Sequence, residues 1–200
     1  MINNFIVAIC SYLIGSIPTA YIIGNLVKKI DIRNFGSGNV GATNVFRVLG
    51  ARWGIITLIL DMLKGFIPVY IVKKIFNDSF NEQLISGAFV VIGHIFTIFL
   101  KFSGGKGVAS AAGFLLAFTP IETIFTLIVF IAVFAITHIV SLGSIIAAIS
   151  YPIIIFFFKH PMKLQIFSII LALLIIVKHK KNIERLIKGE EKKLNKKNLE

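Results

Sequence analysis

Long apolar runs, separated by short polar or glycine-rich stretches, cover most of this chain of 200 residues. A run of about 20 apolar residues is typical of a helix that crosses a membrane. The runs are Phe5–Leu26, Trp53–Val72, Leu84–Leu100, Val108–Phe118, Ile121–Val140, Leu142–Phe158 and Leu164–Val177. The pattern therefore predicts an all-α fold, a polytopic integral membrane bundle of helices.

Two of these runs, Val108–Phe118 and Leu164–Val177, are short for a hydrocarbon core that takes about 20 helical residues to cross. Basic residues concentrate in segments 28–53 and 178–200, and the positive-inside rule places both segments in the cytoplasm. They share that side if both short runs cross the membrane, or if neither does. We predict seven transmembrane helices, with five as the alternative, an N-terminus outside and a cytoplasmic C-terminus.

Composition and charge narrow the class of protein. Hydrophobic residues make up 56% of the chain and charged residues 15%, with 21 Lys and Arg against 9 Asp and Glu, a net charge of +12. Despite this basic balance, the apolar runs exclude a soluble enzyme, a disordered tail and a nucleic-acid partner. The single cysteine, Cys10, excludes an internal disulfide. We predict one membrane-embedded domain over residues 1–200, in which 178–200 form a basic cytoplasmic tail.

The first polar segment combines glycines with hydrogen-bonding side chains and an arginine. Its glycines are Gly36, Gly38 and Gly41, and its neutral polar residues are Ser37, Asn39, Thr43 and Asn44. Backbone N–H groups in such a segment can converge on an anion, and Arg47 can bind a phosphate through two parallel hydrogen bonds. We interpret the segment as an anion site, and the alternative is a flexible connector of ordinary turn residues.

A second glycine-rich segment, Gly104-Gly105-Lys106-Gly107, comes directly before a run of small residues. A glycine-rich turn that opens a helix offers N–H groups and a positive dipole end to an anion, and Lys106 adds a charge. The spacing is not that of a nucleotide-binding Walker motif. The alternative is a tight turn that carries a snorkelling lysine.

The tail and one inter-helix break supply weaker candidates. His179, Asn182 and Arg185 follow each other at intervals of three residues, close to one helical face. The other lysines of the tail fit an anionic inner leaflet. The break contains Ser141, Gly143 and Ser144, which form either a group of hydrogen-bond donors or only a turn.

Asp61, Lys64 and His94 are ionisable residues within apolar runs, where a charge is costly to bury. Asp61 and Lys64 are one helical turn apart, which suits either an ion pair that locks the bundle or a contact with a substrate. We interpret His94 as a hydrogen-bond partner between helices, and the alternative is a contact with a ligand. The histidines are scattered along the chain, so that no metal site is predicted.

Two anion sites beside a lipid-facing bundle indicate chemistry on phosphorylated lipid precursors. One alternative is a transporter of a phosphorylated or anionic solute, whose binding groups would lie near the midplane of the membrane. Another is a lipid-binding scaffold without catalysis, which would not need ordered glycine–lysine and asparagine–arginine sites.

The motifs, taken together and in order, resemble those of the bacterial acyl-phosphate-dependent glycerol-3-phosphate acyltransferases, the PlsY family. The resemblance covers essentially the whole chain, with Ser110 as a departure where threonine is common in the family. The matching stretches are Gly15-Ser16-Ile17-Pro18, Gly36-Ser37-Gly38-Asn39 with Gly41-Ala42-Thr43-Asn44 and Arg47, Asp61-x-x-Lys64-Gly65, Gly93-His94, Gly104-Gly105-Lys106-Gly107, Ser141-Leu142-Gly143-Ser144, and His179-x-x-Asn182-Ile183-x-Arg185 with Gly189-Glu190.

The resemblance implies transfer of a fatty acyl group from acyl-phosphate to the 1-hydroxyl of glycerol 3-phosphate. The implied products are lysophosphatidic acid and inorganic phosphate, in the first step of phospholipid synthesis. It also implies a seven-helix bundle in the bacterial inner (cytoplasmic) membrane, with an active site that faces the cytoplasm. The implied partners are the two substrates and the lipid bilayer, without a metal, a cofactor or an obligatory protein partner.

Site residues follow from the resemblance by position. The implied catalytic residues are Ser37, Arg47, Lys106, His179 and Asn182. The implied substrate-binding residues are Gly38, Asn39, Thr43, Asn44, Gly104, Gly105, Gly107, Ser141, Gly143, Ser144, Arg185 and Glu190. The proton acceptor stays open between His179 and the phosphate of the substrate. The chain has no aspartate five positions after any histidine, so it lacks the His–Asp motif of another class of acyltransferases.

Overall fold

A computed structural model describes residues 2–194, and no strand occurs among them. The helices are α1 (Ile2–Ser16), α2 (Thr19–Lys28), α3 (Ala42–Leu49), α4 (Ala51–Ile75), α5 (Phe80–Ile95), α6 (Val108–Phe118), α7 (Pro120–Thr137), α8 (Val140–Phe157), α9 (Met162–Lys178) and α10 (Lys180–Ile187). The all-α prediction is confirmed. The end of the predicted tail, 195–200, lies outside the described residues.

The helices have the length and composition of a multi-pass membrane protein. Among residues 2–194, five stretches are long and apolar enough to span a membrane: Ile2–Lys28, Ala51–Ile75, Phe80–Leu100, Pro120–Thr137 and Val140–Phe157. The pair α9 and α10, which is bent by 63°, makes a sixth if it is counted as one span. Helix α6 is apolar but has only 11 residues. The number of seven crossings therefore stays a prediction.

The first span is interrupted at Ile17 and Pro18, which separate α1 from α2. Proline lacks an N–H group and its ring clashes with the preceding turn, so a regular helix does not continue through it. Side chains bind the carbonyl groups at the interruption. The Thr97 hydroxyl donates to the Ser16 oxygen at 2.5 Å, and Lys64 Nζ donates to the Ile17 oxygen at 2.8 Å. The break therefore brings polar groups into the first span.

The chain forms two compact units, residues 2–118 and residues 119–194. In the first unit α1 packs along α5 and α4 packs along α6. Glycines allow these backbones to approach closely. A Cβ atom at Gly15 would lie 2.2 Å from the carbonyl oxygen of Val90, and one at Gly65 would lie 2.1 Å from that of Ser110. No larger residue fits at either contact without a shift of a helix.

In the second unit α8 packs against both α7 and α9. Buried polar contacts join the ends of these helices. Glu122 Oε1 lies 2.7 Å from His160 Nε2, and the hydroxyl groups of Thr119 and Tyr151 lie 2.9 Å apart. At the other end of α9, the chain turns at His179 into α10. The candidate site residues of this unit lie at that end, near His179, and at the start of α8, near Ser141.

Candidate active site

The first glycine-rich segment is held in shape by Asn44 of α3. The buried amide donates to the carbonyl groups of Ile32 at 3.2 Å and Phe35 at 3.0 Å, and its oxygen accepts from the Ser37 N–H at 2.8 Å. Gly36 has a φ of +63°, and a Cβ there would lie 2.2 Å from the Asn44 oxygen. Asn44, predicted as a substrate contact, therefore organises the loop that presents Ser37.

Replacing Asn44 by aspartate is expected to destabilise this loop by about 2–3 kcal/mol. A carboxylate oxygen would replace the amide N–H₂ and face two carbonyl oxygens in a buried site, so that two hydrogen bonds are lost and unpaired acceptors remain. Thermal unfolding in detergent measures the effect. The matched control is Asn34→Asp, because Asn34 is exposed in the same loop. Equal unfolding temperatures for the two variants would contradict the role of Asn44.

The remaining candidates of this segment lie around the start of α3. Thr43 and Arg47 are four residues apart and so lie on one face of α3, and both are half-buried. Gly38 is exposed with a φ of +70°, and Asn39 is half-buried. The segment therefore presents backbone and side-chain donors together with the Arg47 guanidinium.

The neighbouring arginine, Arg33, has its own counter-ion. It forms a salt bridge of 2.6 Å with Asp31. The hydrogen bond from the Arg33 side chain holds the pKa of the Asp31 carboxyl below its usual value. The charges of Arg33 and Asp31 therefore neutralise each other at the edge of the loop. The arginine that the sequence analysis assigns to the anion site is Arg47.

The second glycine-rich segment is docked on the end of α5. The Gly104 N–H donates to the Ile95 oxygen and the Gly105 N–H donates to the His94 oxygen, both at 3.1 Å. A Cβ at Gly104 would lie 2.0 Å from the His94 oxygen. Gly107, with a φ of +84°, leads directly into α6. Half-buried Lys106 is thus held at a helix N-terminus, where the N–H groups and the dipole favour an anion.

The two glycine-rich segments meet. A Cβ at Gly105 would lie 2.6 Å from the carbonyl oxygen of Val40. Val40 also lines a small cleft, together with Ser16, Lys64, His94, Gly104 and Gly105. The fold therefore brings together the two segments that the sequence analysis interprets as separate anion sites.

A buried polar network lies next to this cleft. Lys64 Nζ is 2.8 Å from Asp61 Oδ1, so that the predicted pairing is present. Thr19 donates to the same oxygen at 2.5 Å, and His94 Nδ1 lies 3.6 Å from it. Lys64 also donates to the carbonyl group of Ile17. The network links the break in the first span with α4 and α5.

In the second unit, the candidates gather around a carboxylate that the sequence interpretation missed. Glu191 Oε1 accepts from Ser141 at 2.8 Å and from Asn182 at 2.6 Å, and Oε2 accepts from Arg185 at 2.6 Å. Burial raises the pKa of Glu191, but these hydrogen bonds outweigh it and leave the pKa below its usual value. Glu190, the predicted contact, is exposed.

Sequence offers only a slight signal for Glu191. Gly189 has a φ of +70°, which reverses the chain after α10 and turns Glu191 back onto that helix. A glycine followed by two glutamates indicates such a turn, but it does not tell which glutamate points inward.

Ser144 and Gly143, two other predicted donors of this unit, contact groups of the protein itself. The Ser144 hydroxyl donates to the Val140 oxygen at 2.9 Å, one turn back along α8. Gly143 is buried against the ring of Phe130, which a Cβ would approach to 3.1 Å. Gly143 therefore lies in the packing of α7 against α8, whereas the Ser144 hydroxyl binds within α8.

His179 is buried at the turn between α9 and α10, with 2% of its surface exposed. Its Nδ1 lies 2.8 Å from the carbonyl oxygen of Ile175. Because a carbonyl group only accepts, Nδ1 donates, and in the neutral ring the lone pair is on Nε2. The ring is therefore set in the tautomer whose Nε2 can accept a proton.

No three His, Cys, Asp or Glu side chains among residues 2–194 lie close enough to hold a metal ion. Cations, backbone N–H groups and hydroxyl groups are what the candidate residues offer. Such groups bind phosphate and stabilise developing negative charge.

Comparison with known proteins gives one consistent result. The family model for glycerol-3-phosphate acyltransferase matches residues 5–189. A glycerol-3-phosphate acyltransferase of Endomicrobium trichonymphae is 47% identical over 194 residues, 97% of either chain. One of Fusobacterium nucleatum is 45% identical over 189 residues, which cover 94% of this chain and 97% of the relative.

Two crystal structures of PlsY (YgiH), an integral membrane glycerol 3-phosphate acyltransferase, are similar in fold. The glycerol 3-phosphate form has a TM-score of 0.90 and 41% identity, and 96% of each chain is covered. The lysophosphatidic acid form has a TM-score of 0.88 and 39% identity, over 98% of this chain and 97% of the other. The similarity extends over nearly the whole chain.

Proposed function

The chain belongs to the glycerol-3-phosphate acyltransferase family, and we propose that it takes its acyl group from acyl-phosphate. The proposed acceptor is the 1-hydroxyl of glycerol 3-phosphate, and the products are lysophosphatidic acid and inorganic phosphate. The observation that supports this proposal is that two glycine-rich segments meet, one followed by Arg47 and one containing Lys106. Both proposed substrates carry a phosphate that such sites can bind.

Acyl-phosphate is a mixed anhydride, so phosphate can leave without a covalent intermediate on the protein. The hydroxyl oxygen attacks the carbonyl carbon, the carbon–oxygen bond to phosphate breaks, and the hydroxyl proton passes to a base. Negative charge develops on the carbonyl oxygen and on the departing phosphate. Cations and N–H groups already held in place stabilise that charge without reorganisation.

In the first unit, we assign phosphate binding to Ser37, Arg47 and Lys106, supported by the backbone around Gly104, Gly105 and Gly107. The proposal keeps Gly38, Asn39 and Thr43 as contacts of the first segment, and Asn44 acts by shaping it. The Asn44 hydrogen bonds and the docking of Gly104 and Gly105 on α5 support these roles.

In the second unit, we assign proton transfer or phosphate orientation to His179 and Asn182. The hydrogen bond of His179 Nδ1 to Ile175 supports a basic Nε2. The substrate's own phosphate is the other candidate for the proton. Ser141 and Arg185 keep their proposed substrate roles through their shared partner Glu191, and both units are proposed as parts of one acyltransferase domain.

One assay tests the function. Purified protein in detergent receives palmitoyl-phosphate and glycerol 3-phosphate, and both phosphate and lysophosphatidic acid are measured. We expect equal amounts of the two products, formed only with both substrates. Glycerol in place of glycerol 3-phosphate, and palmitoyl-coenzyme A in place of palmitoyl-phosphate, are the controls. Product from palmitoyl-coenzyme A at the same rate would overturn the proposed donor, and absence of product with both substrates would overturn the reaction.

We also propose the finer topology: seven crossings in the bacterial inner membrane, with the N-terminus outside and the site on the cytoplasmic side. Helices α6 and α9 are the two crossings that separate seven from five. The basic residues of 28–53 and 178–200 support the orientation.

Cysteine labelling in intact cells distinguishes these topologies. In a Cys10→Ser background, we expect Lys159→Cys to react with a membrane-impermeant maleimide and His138→Cys to react only after permeabilisation. Both positions are exposed, and they lie at opposite ends of α8. The reverse pattern would support five crossings and contradict seven.

A further inference from the structure

Four polar side chains meet inside the first unit without belonging to either glycine-rich segment. Thr19, Asp61, Lys64 and His94 are each at most 9% exposed. Charges inside membrane-spanning helices are costly and usually serve function. A buried ion pair is also weak evidence for stability, since apolar residues of similar volume often serve as well. The position of these charges beside the Gly104–Gly107 segment indicates a role beyond packing.

The imidazole of His94 spans the distance between a buried carboxylate and the backbone of that segment. Nδ1 lies 3.6 Å from Asp61 Oδ1. At the opposite edge of the ring, a Cβ at Gly105 would lie 2.2 Å from Nε2. The main-chain oxygen of His94 accepts the Gly105 N–H at 3.1 Å. Side chain and main chain of His94 therefore both set the position of Gly105, the residue before Lys106.

Asp61 is itself fixed from two sides. The Thr19 hydroxyl donates to Oδ1 at 2.5 Å, and Lys64 Nζ lies 2.8 Å from the same oxygen. Lys64 also donates to the Ile17 carbonyl group at 2.8 Å, which anchors it on the break in the first span. A change at any of these groups shifts the carboxylate against which His94 is placed.

We infer that Asp61, Lys64 and His94 are positioning residues, which hold the Gly104–Gly105 backbone so that Lys106 meets the phosphate of glycerol 3-phosphate. The inference rests on the proposed function. His94 contacts the loop directly, and Asp61 and Lys64 act on the loop through the placement of His94. We assign none of the three to the reacting atoms. Their loss therefore weakens phosphate binding more than it slows the reaction of bound substrate.

His94→Gln and Thr19→Val test this inference in the full-length protein. The first replaces the ring, and the second removes only the hydrogen bond to Asp61 with little change of shape. We expect the KM for glycerol 3-phosphate to rise about tenfold in His94→Gln and less in Thr19→Val, with kcat changed less than KM. We also expect the KM for glycerol 3-phosphate to rise more in His94→Ala than in His94→Gln. Amide hydrogen exchange at Gly104 and Gly105 should become faster in each variant.

Glu122→Gln is the matched control. Glu122 is a buried carboxylate next to a histidine, His160, in the second unit, and it has no part in the proposed site. The Glu122→Gln substitution should lower the unfolding temperature and leave the KM for glycerol 3-phosphate unchanged. The inference is overturned if Thr19→Val and His94→Gln, like Glu122→Gln, leave the KM for glycerol 3-phosphate unchanged and if amide exchange at Gly104 and Gly105 stays slow.

Failure of the proposed function gives a different result. In that case the unsubstituted protein forms no product from the two substrates. Amide exchange in the unliganded protein still reports whether the network holds the loop. If His94→Gln does not fold, Thr19→Val decides, since it leaves the ring and the ion pair in place.

Discussion

Lys106→Ala is expected to lower kcat/KM by about 10²–10³-fold, which corresponds to about 3–4 kcal/mol of lost transition-state stabilisation. The amine is held at the N-terminus of α6, after two glycines that are docked on α5. Alanine removes the charge and leaves the backbone N–H groups in place. Phosphate binding therefore weakens, but the loop keeps its conformation. Steady-state rates of phosphate release, with each substrate varied in turn, measure the effect.

The two kinetic constants separate the roles of Lys106. A rise in the KM for glycerol 3-phosphate alone assigns Lys106 to that phosphate, whereas a fall in kcat assigns it to charge that develops during transfer. Lys106→Arg keeps the charge but changes its geometry, and it should retain part of the activity. The control is Lys101→Ala, because Lys101 is exposed five residues earlier. Near-normal kinetics for Lys106→Ala would remove Lys106 from the site.

The helices were predictable where apolar runs end at residues that stop a helix. Helix α6 has the predicted bounds, Val108–Phe118, because Gly107 precedes it and Pro120 follows. Helix α4 is longer than its apolar run, because Arg52 and Lys73 extend the helix beyond the apolar stretch. The apolar run Phe5–Leu26 predicts one continuous span, and the interruption at Pro18 was not predicted, because an apolar run does not tell whether a proline kinks a helix or breaks it.

The site was predictable where the partners are neighbours in sequence. Asp61 and Lys64 pair as their spacing indicates, since residues three apart share a helical face. The contact of His94 with Gly105 depends on how α5 packs, and Ser141 meets Glu191 across 50 positions. Such contacts follow from tertiary structure alone. Residue type alone also does not tell a ligand contact from a contact within the loop: Asn44 has the chemistry of both, and its hydrogen bonds shape the loop.

Glu191→Gln is expected to reduce the stability of the second unit by about 2–3 kcal/mol. The carboxylate accepts hydrogen bonds from α8 through Ser141 and from α10 through Asn182 and Arg185. A glutamine amide keeps one acceptor and turns an N–H₂ group toward one of these donors. Arg185, with 34% of its side chain exposed, can turn to water, so the loss stays below that of a fully buried pair.

Thermal unfolding in detergent measures this loss, and Glu190→Gln is the matched control. Glu190 is the next residue along the chain, carries the same charge and is exposed, so its replacement should leave the unfolding temperature nearly unchanged. Equal effects of the two substitutions would contradict the role of Glu191. Because Glu191 holds Asn182 and Ser141, its replacement should also lower kcat/KM, even at temperatures where the protein is fully folded.

The pH dependence gives an independent check on the same carboxylate. The pKa of Glu191 is lower in the folded protein than in the unfolded chain, because hydrogen bonds from Arg185, Asn182 and Ser141 outweigh the effect of burial. The unfolded chain therefore binds the proton more readily, and the stabilisation is complete above the ordinary glutamate pKa. It is lost as the pH falls below the ordinary glutamate pKa and through the lower pKa that Glu191 has in the folded protein. The difference in unfolding temperature between the unsubstituted protein and Glu191→Gln should shrink over this range, whereas a constant difference would show that packing, and not the charge of Glu191, stabilises α8 and α10.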